Sequence, residues 1–344
     1  MSPIIHLIAP AGSLHSFYKT LGIDRASQFI AMVREFIGGD YATTANEAVL
    51  DASEDEQNGG RRDDDARADD ITSALADPDV RAIVAIRGGA WFTRILPRIN
   101  FSVLDQRETP IAVFGFSELT PLVHIVAAHP LGRGYYDMGP AFLTYGLKRH
   151  AVTRLGLSDQ TAPTADEWMR ENLRRNMVDY FRRVVDITED RGKPIELSAR
   201  LVRGEMPDST EAKFVGGNLT VLSTMIGSRC SECIDPHRKW IVLEDFNDKP
   251  ERIDRFLAHF TLAGFWDRCA GLLLGDFHQN ERDLRPAVLA MLDFHLPRDS
   301  RLPVLITDQV GHVWPMTPLP LHRMGSVHRI DEFEYRIHWP AIIT

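Results

Sequence analysis

The 344-residue sequence contains few cysteines, no excess of positive charge and no long apolar segment. Three cysteines, Cys230, Cys233 and Cys269, are too few for a disulfide framework and are typical of a reducing compartment. Acidic residues outnumber basic ones by 48 to 39, and this net charge of −9 argues against nucleic acid or an anionic membrane as the main partner. No apolar run could span a bilayer, and the N-terminal MSPIIHLIAPAG lacks the basic region of a signal peptide. We therefore expect a cytoplasmic protein.

The length and composition instead indicate two globular domains. The chain exceeds one typical domain, and 44% hydrophobic with 25% charged residues is ordinary globular composition. Strand-like segments fill both halves, and a helix-rich stretch lies between about residues 150 and 200. We predict an N-terminal domain over 1–165, a helical connection over 166–198 and a C-terminal domain over 199–344.

The N-terminal half alternates buried strands with amphipathic helices. Residues 4–9, 80–86 and 111–115 are apolar strand-like runs, and helical periodicity lies between them. This alternation is typical of βαβ units and predicts an α/β domain with a mostly parallel sheet. Functional sites of such sheets lie at the carboxyl ends of strands, where RGG (87–89) and FSE (116–118) fall.

The second half begins with a long helix and continues with further strands. Thr164 and Glu167 have the spacing of a capping box, and an apolar stripe follows at Leu173, Met177 and Phe181. Segments such as WIVLEDF and LPVLITD then predict strands, with a helix over ERIDRFLAHFTLAG. We predict a mixed, β-rich α/β domain here.

The stretch GFSELT places Ser117 between a buried strand and the apolar start of a helix. One interpretation is structural, because serine is a favoured helix N-cap. The other is chemical: a strand–turn–helix elbow exposes a serine hydroxyl beside helix amides that can receive a developing oxyanion. The turn alone favours the capping role.

A nucleophilic serine needs a base and a group that orients the base. Among 13 histidines, His124 lies too far along the same helix, whereas His278 and His312 follow predicted strands. A preceding glycine and three nearby prolines suit His312 to a stiff loop. For the acid, the strand WIVLEDF ends in Glu244 and Asp245, and either could hold a histidine or form a cap or ion pair.

Six separated motifs, in order along nearly the whole chain, resemble those of the LD-carboxypeptidases, serine peptidases that include murein tetrapeptide carboxypeptidase and the microcin C immunity proteins. The matching stretches are IAPAGS, AIRGGAWFTRILPRINF, GFSELT, FVGGNLTVLSTMIGS, IVLEDFNDKPERIDRFLAHFTLAGFWDRCAGLLLGDF and VGHVWPMTPLPL. The resemblance implies a Rossmann-like N-terminal domain, a C-terminal domain, an active site at their interface and a homodimer. We expect no cofactor and no metal, because a catalytic triad supplies both the nucleophile and the base.

The resemblance also implies roles for residues that the sequence already singled out. Ser117 would be the nucleophile, Glu244 the orienting acid and His312 the base. The oxyanion hole would use the backbone N–H of Glu118 and that of Gly88 or Gly89, because glycines let amides approach a reacting carbonyl.

Several positions depart from the family pattern. Glu118 replaces an aspartate, Ser228 a threonine, Met138 a residue of a His-Gly-Pro motif and His322 a glycine. None of these is a member of the implied triad, but substrate preference is open. Cys230 and Cys233 form a C-x-x-C pair without an identifiable fourth zinc ligand, which favours an ordinary surface loop.

The leading functional hypothesis is removal of the terminal D-Ala from murein tetrapeptides in cell-wall recycling. The alternative is a microcin-type immunity peptidase that cleaves peptidyl- or aminoacyl-adenylate analogues. Arg87 favours the murein branch and is a candidate to bind the substrate carboxylate, although a salt bridge that braces the RGG turn is an equal alternative. An α/β-hydrolase and an inactive muropeptide binder remain lower alternatives.

Overall fold

Two sheets form the framework of the protein. The computed structural model describes residues 2–39, 41–53, 63–191, 193–297 and 299–341. The first sheet has six strands, and all adjacent pairs are parallel except the first. In spatial order they are β12 (Leu319–Leu321), β5 (Gly132–Tyr136), β4 (Ile111–Gly115), β3 (Val80–Ala85), β1 (Ile4–Ile8) and β2 (Ala42–Ala45).

Helices cover this sheet because each has one apolar face. In α2, for example, Phe29, Val33 and Phe36 are buried at helical spacing, and the helix stops at Gly38, whose φ is +80°. The helices of this part are α1 (His15–Leu21), α2 (Ala26–Ile37), α3 (Glu47–Leu50), α4 (Asp64–Ala76), α5 (Phe92–Ile95), α6 (Thr120–Ala128), α7 (Phe142–Thr153) and α8 (Ala165–Thr188). The predicted capping box at the start of α8 is confirmed: the Thr164 and Glu167 side chains each accept from the other residue's backbone N–H.

The second sheet has eight strands and closes on itself, because β8 also pairs with β9. The strands are β6 (Ile195–Arg203), β7 (Ser209–Asn218), β8 (Trp240–Phe246), β9 (Gly271–Gln279), β10 (Arg282–Asp283), β11 (Val304–Ile306), β13 (Met324–Arg329) and β14 (Glu334–Trp339). The helices are α9 (Leu219–Met225), α10 (Pro250–Leu262) and α11 (Arg285–His295). A separate apolar core forms where these helices pack on β8 and β9.

The predicted fold class is confirmed, with a mostly parallel sheet followed by a mixed, β-rich part. The domain limits at 165 and 199 stay a prediction. One strand crosses between the two parts: β12, from near the end of the chain, pairs antiparallel with β5. Within the described residues, no helix is both long and apolar enough to cross a membrane.

Candidate active site

Ser117 occupies a strained turn at the carboxyl end of β4. A short 3₁₀ turn, Ser117–Leu119, joins β4 to α6, and Ser117 has a φ of +57°. Left-handed backbone is uncommon for a residue other than glycine and costs about 1–2 kcal/mol. Neither the 3₁₀ turn nor α6 has a side-chain cap, so Ser117 does not serve as one. The backbone is held instead, since Ser117 N–H donates to Tyr136 Oη at 3.0 Å and Ser117 O accepts from Thr120 Oγ1 at 2.6 Å.

The RGG segment that follows β3 lies directly beside this turn. A Cβ added at Gly88 would lie 3.1 Å from Ser117 Cβ and 3.5 Å from its Oγ. Gly89 has a φ of +144°, and a Cβ there would lie 2.2 Å from the carbonyl oxygen of Ala11. A side chain at Gly88 would therefore crowd the serine, and one at Gly89 would overlap the Ala11 carbonyl in a left-handed backbone conformation.

Glu244 and His312 form a buried pair from distant parts of the chain. Glu244 lies near the end of β8, and His312 follows Gly311 in the loop between β11 and β12. His312 Nδ1 donates to Glu244 Oε2 at 2.7 Å. The other carboxylate oxygen accepts from Tyr136 Oη at 2.6 Å and from Asn218 Nδ2 at 3.3 Å. These contacts orient the ring and leave Nε2 as the nitrogen available to a substrate.

The surroundings of His312 raise the pKa of its imidazole. Burial alone would lower the pKa, but the charge and the hydrogen bond of Glu244, with the charges of Asp276 and Asp245, outweigh it. The ring also stacks on Phe246, with centroids 4.7 Å apart and planes 14° apart. His312 is therefore held in one orientation by a carboxylate and an aromatic ring.

The neighbouring carboxyl group has a different role. Asp245 accepts from the backbone N–H of Thr220 at 3.0 Å and from its Oγ1 at 2.9 Å, at the start of α9. Burial, followed by the charges of Glu244 and Asp248, raises the pKa of Asp245 to about 7. Of the two carboxylates that the sequence left open, Glu244 thus faces the histidine and Asp245 faces a helix.

A cavity of about 460 Å³ brings the predicted residues together. Ser117, His312, Arg87, Gly88 and Gly89 all line it, and most of its remaining wall is aromatic. The aromatic residues are Phe17, Phe116, Phe142, Tyr145 and Phe246. Among the described residues, no direct hydrogen bond joins Ser117 Oγ to the His312 ring. Such bonds often form only in the substrate complex.

Arg87 and Glu118 are both tied to neighbouring loops. Arg87 Nη1 donates to the carbonyl oxygen of Ser13 at 2.6 Å, and in the described part of the chain it forms no ion pair. Among the described residues, Arg87 thus braces its turn through the carbonyl group of Ser13. The Glu118 carboxylate accepts from the backbone N–H and the hydroxyl of Thr93, both at 3.2 Å.

The other histidines considered from the sequence lie outside this cavity. His278 contacts Tyr145 Oη through Nε2 at 3.2 Å and pairs with Asp276. His124 is fully buried, and its Nδ1 lies 2.9 Å from His322 Nε2. His322 has a φ of +59°, which explains why a glycine is expected at this position.

The cysteines are free thiols, and burial raises the pKa of each. Cys230 borders a separate cavity of about 540 Å³ that contains none of the predicted site residues. In the ranges that the structure describes, no three His, Cys, Asp or Glu side chains are grouped as metal ligands.

Sequence reasoning missed Tyr136 and Asn218, the other two partners of Glu244. Asn218 belongs to the GGNL motif, so the family resemblance includes its position, but the sequence does not predict its contact with Glu244. Tyr136 ends β5, and the carboxyl end of that strand was a signal that could have identified it.

Profiles of both domains of one family match the chain. The LD-carboxypeptidase N-terminal domain matches residues 5–137, and the C-terminal domain matches residues 211–327. A probable murein peptide carboxypeptidase of Bacillus subtilis is 25% identical over 272 residues, which cover 78% of this chain and 75% of that protein. The murein tetrapeptide carboxypeptidase of Pseudomonas aeruginosa is 28% identical over 245 residues, covering 67% and 71%.

Solved structures share the fold at lower identity. The microcin C7 self-immunity protein MccF has a TM-score of 0.68 at 15% identity, with 99% of this chain and 97% of that chain covered. Muramoyltetrapeptide carboxypeptidase from Oxalobacter formigenes has a TM-score of 0.66 at 20% identity, with 99% and 100% covered. The two family profiles together span most of the chain, and the protein therefore belongs to the LD-carboxypeptidase family of peptidases.

Proposed function

We propose that the protein is a serine-type LD-carboxypeptidase that removes the terminal D-Ala from murein tetrapeptides. The observation that supports it best is one cavity in which Ser117, on a left-handed turn, and His312, paired with buried Glu244, face the same space. The relatives named as murein carboxypeptidases support the substrate class.

In the proposed reaction, Ser117 Oγ attacks the carbonyl carbon of the scissile amide while His312 Nε2 accepts the hydroxyl proton. Glu244 stabilises the imidazolium through Nδ1. The oxyanion receives hydrogen bonds from the N–H of Glu118 and that of Gly88 or Gly89. His312 then gives its proton to the leaving amine of D-Ala, and the acyl group stays on Ser117. Water, deprotonated by His312, hydrolyses this ester and restores the serine.

Ser117→Ala tests this proposal directly. Loss of the nucleophile should lower kcat by several orders of magnitude, because the triad acts as a unit. The fold should persist, since the Ser117 side chain makes no cap. Release of D-Ala from purified tetrapeptide, followed by mass spectrometry, measures the effect. Ser16→Ala is the matched control, because Ser16 lines the same cavity away from the turn. Retention of more than a tenth of the activity by Ser117→Ala would refute the assignment of Ser117 as the nucleophile. A wild-type protein that binds the tetrapeptide without cleaving it would indicate an inactive muropeptide binder.

Arg87 is our candidate for the group that binds the terminal carboxylate of the substrate. It lines the cavity next to the proposed oxyanion turn and has no carboxylate partner among the described residues. A guanidinium binds carboxylates through paired hydrogen bonds that lysine does not reproduce. Arg87→Lys should therefore raise KM for the tetrapeptide while Tm barely changes.

C-terminal amidation of the substrate separates this role from a structural one. Amidation should impair the wild-type enzyme far more than Arg87→Lys, because only the wild type has the interaction to lose. Equal impairment of both proteins would show that another group binds the carboxylate.

A second candidate function is cleavage of aminoacyl- or peptidyl-adenylate analogues. The five aromatic rings of the cavity wall favour it, because aromatic faces stack on nucleobases. Trp168 does not contribute, since it packs against His150 and Trp314. Parallel assays with the tetrapeptide and a dipeptidyl sulfamoyl adenosine distinguish the two functions by their kcat/KM values.

We further propose that the enzyme is a cytoplasmic homodimer. The family resemblance supports the dimer, and the small number of cysteines supports a reducing compartment. Light scattering coupled to gel filtration tests the dimer, and cell fractionation tests the cytoplasmic location. A monomeric mass across micromolar concentrations would refute the dimer.

A further inference from the structure

An ion pair between a partly exposed arginine and a buried carboxylate contacts the main chain of the proposed base. Arg149, from α7, points one nitrogen at two acceptors: Nη1 lies 3.0 Å from Asp276 Oδ2 and 3.0 Å from the backbone oxygen of His312. Asp276, in β9, is only 6% exposed. The same helix also supplies Phe142 and Tyr145 to the cavity wall. One helix of the N-terminal half therefore contacts both the substrate cavity and the main chain of His312.

The loop around His312 needs such an anchor, because it has no regular structure between β11 and β12. Glu244 holds the ring at Nδ1, and Asp276 N–H donates to the carbonyl of Val310 at 2.9 Å. Gly311 fits between them: a Cβ there would lie 3.0 Å from Glu244 Cβ and 3.1 Å from Asp276 Cβ. Arg149 adds the contact to the carbonyl of His312 itself.

We propose that Arg149 and Asp276 are positioning residues for His312, which hold its main chain from α7 and β9 while Glu244 holds its ring. This inference rests on the proposed role of His312 as the base. Neither residue touches substrate in the proposed reaction, so both act through His312.

The pair also has an electrostatic consequence. The Asp276 carboxylate contributes to raising the pKa of His312, and Arg149 neutralises that carboxylate across 3.0 Å. Removing the guanidinium should leave the Asp276 carboxylate with His278 as its remaining partner, so less of its negative charge is neutralised and the pKa of His312 should rise further. Removing the carboxylate should leave an unpaired positive charge and lower it. His278 also pairs with Asp276, so it loses this partner in Asp276→Asn and keeps it in Arg149→Met. The charged or titratable groups that both variants retain are Glu244, Asp245, Tyr145 and Arg87 near His312, and Glu281, Arg285 and Asp308 beside Arg149.

The experiment compares Arg149→Met with Asp276→Asn in the full-length protein. NMR titration of the His312 ring measures its pKa without any activity, and kcat/KM against pH measures its effect on turnover. We expect midpoints displaced in opposite directions by roughly 0.5 to 1 pH unit, as for single charges in a partly buried site. The double variant should return close to the wild-type midpoint.

Lys148→Met is the matched control. Lys148 neighbours Arg149 in α7, but it pairs with Asp166 at the surface, and both side chains are more than 40% exposed. Its removal should leave both midpoints unchanged. Arg149→Lys keeps the charge, but its side chain is shorter and should weaken the contact to the His312 carbonyl, so it should preserve the midpoint while lowering kcat. If Arg149→Met does not fold, Asp276→Asn and Arg149→Lys still decide the matter.

The inference would be overturned if Arg149→Met and Asp276→Asn displaced the His312 midpoint in the same direction, or if neither variant displaced it. Failure of the proposed function has a different signature. An active Ser117→Ala enzyme would refute the triad, while the NMR titration of His312 would still report opposite displacements if the pair positions it.

Discussion

His312 and His124 are both buried, yet their surroundings move their pKa values in opposite directions. His312 faces the carboxylate of Glu244, which raises the pKa of its imidazole in spite of burial. His124 faces His322, and burial, with the charge of Lys239, lowers its pKa to about 4. The backbone of Gly216 is its other partner, through contacts of 2.7 Å and 3.1 Å to Nε2. The comparison teaches that the partner of a buried histidine, and not burial alone, decides its charge.

The sites of His312 and His124 also lie in different parts of the molecule. His312 opens onto a cavity beside Ser117, whereas His124 joins α6 to β7 in the interior. His322 completes the second site, and burial, His124, Lys239 and Lys213 together lower its pKa to about 3. The first site favours the protonated imidazole, and the second is suited to stay neutral.

The largest loss of kcat/KM is expected when Glu244, the partner of His312, loses its charge. Glu244→Gln should lower kcat/KM by about 10³–10⁴, because the amide cannot stabilise an imidazolium and favours the wrong tautomer. Tetrapeptide hydrolysis at pH 8 measures it. Asp245→Asn is the control, since Asp245 faces Thr220, and it should cost less than about tenfold. Equal losses in both variants would remove the distinction between these carboxylates.

The pH dependence of wild-type activity is next in size. Catalysis needs neutral His312, and its pKa lies above the usual 6.5, so kcat/KM should fall on the acid side with a midpoint above 6.5. Each further pH unit should cost about tenfold, or at least roughly thirtyfold at pH 5. A flat profile down to pH 5 would contradict His312 as the base.

Stability should respond to acid through His124 and His322. Their folded-state pKa values are depressed, so above pH 6.5 both states are neutral and the pair has no effect on the pH dependence of stability. Below pH 6.5 the two histidines bind protons in the unfolded chain but stay neutral in the folded protein. The free energy of unfolding should fall by about 2 kcal/mol per buried histidine between pH 6.5 and 5. His312 acts with the opposite sign, because its raised pKa contributes stability below 6.5 that is lost as pH rises through its folded pKa. Urea titrations at both pH values measure the sum.

The smallest expected effect isolates His322. At pH 7, His322→Gly relieves the left-handed backbone and loses the hydrogen bond to His124, so the free energy of unfolding should change by less than about 1 kcal/mol. At pH 5 the variant should be more stable than the wild type, since one buried titratable group is gone. His322→Asn, which tolerates the same backbone, is the control for strain. Equal acid sensitivity of His322→Gly and wild type would show that other groups cause the acid loss.

Much of this arrangement could be predicted from the sequence because its signals are local. Apolar runs predicted the strands, Thr164 and Glu167 predicted the start of α8, and the order of six motifs predicted the family. A turn of only a few residues singled out Ser117, and the family resemblance then favoured the role of nucleophile over that of a helix cap. The contacts of Glu244 were not accessible in this way, because Tyr136 and His312 lie 108 and 68 residues from it along the chain.

Glu244 and Asp245 show which features the sequence predicts and which depend on the tertiary structure. Side chains alternate across a regular strand, so WIVLEDF predicts that the two carboxylates point to opposite faces of the sheet. It does not determine which face meets the cavity. That choice follows from packing: α9 covers one face and takes Asp245 at Thr220, whereas the loop after β11 brings His312 to the other. A buried carboxylate must find a partner on its own face, and only the folded chain decides which partner is there.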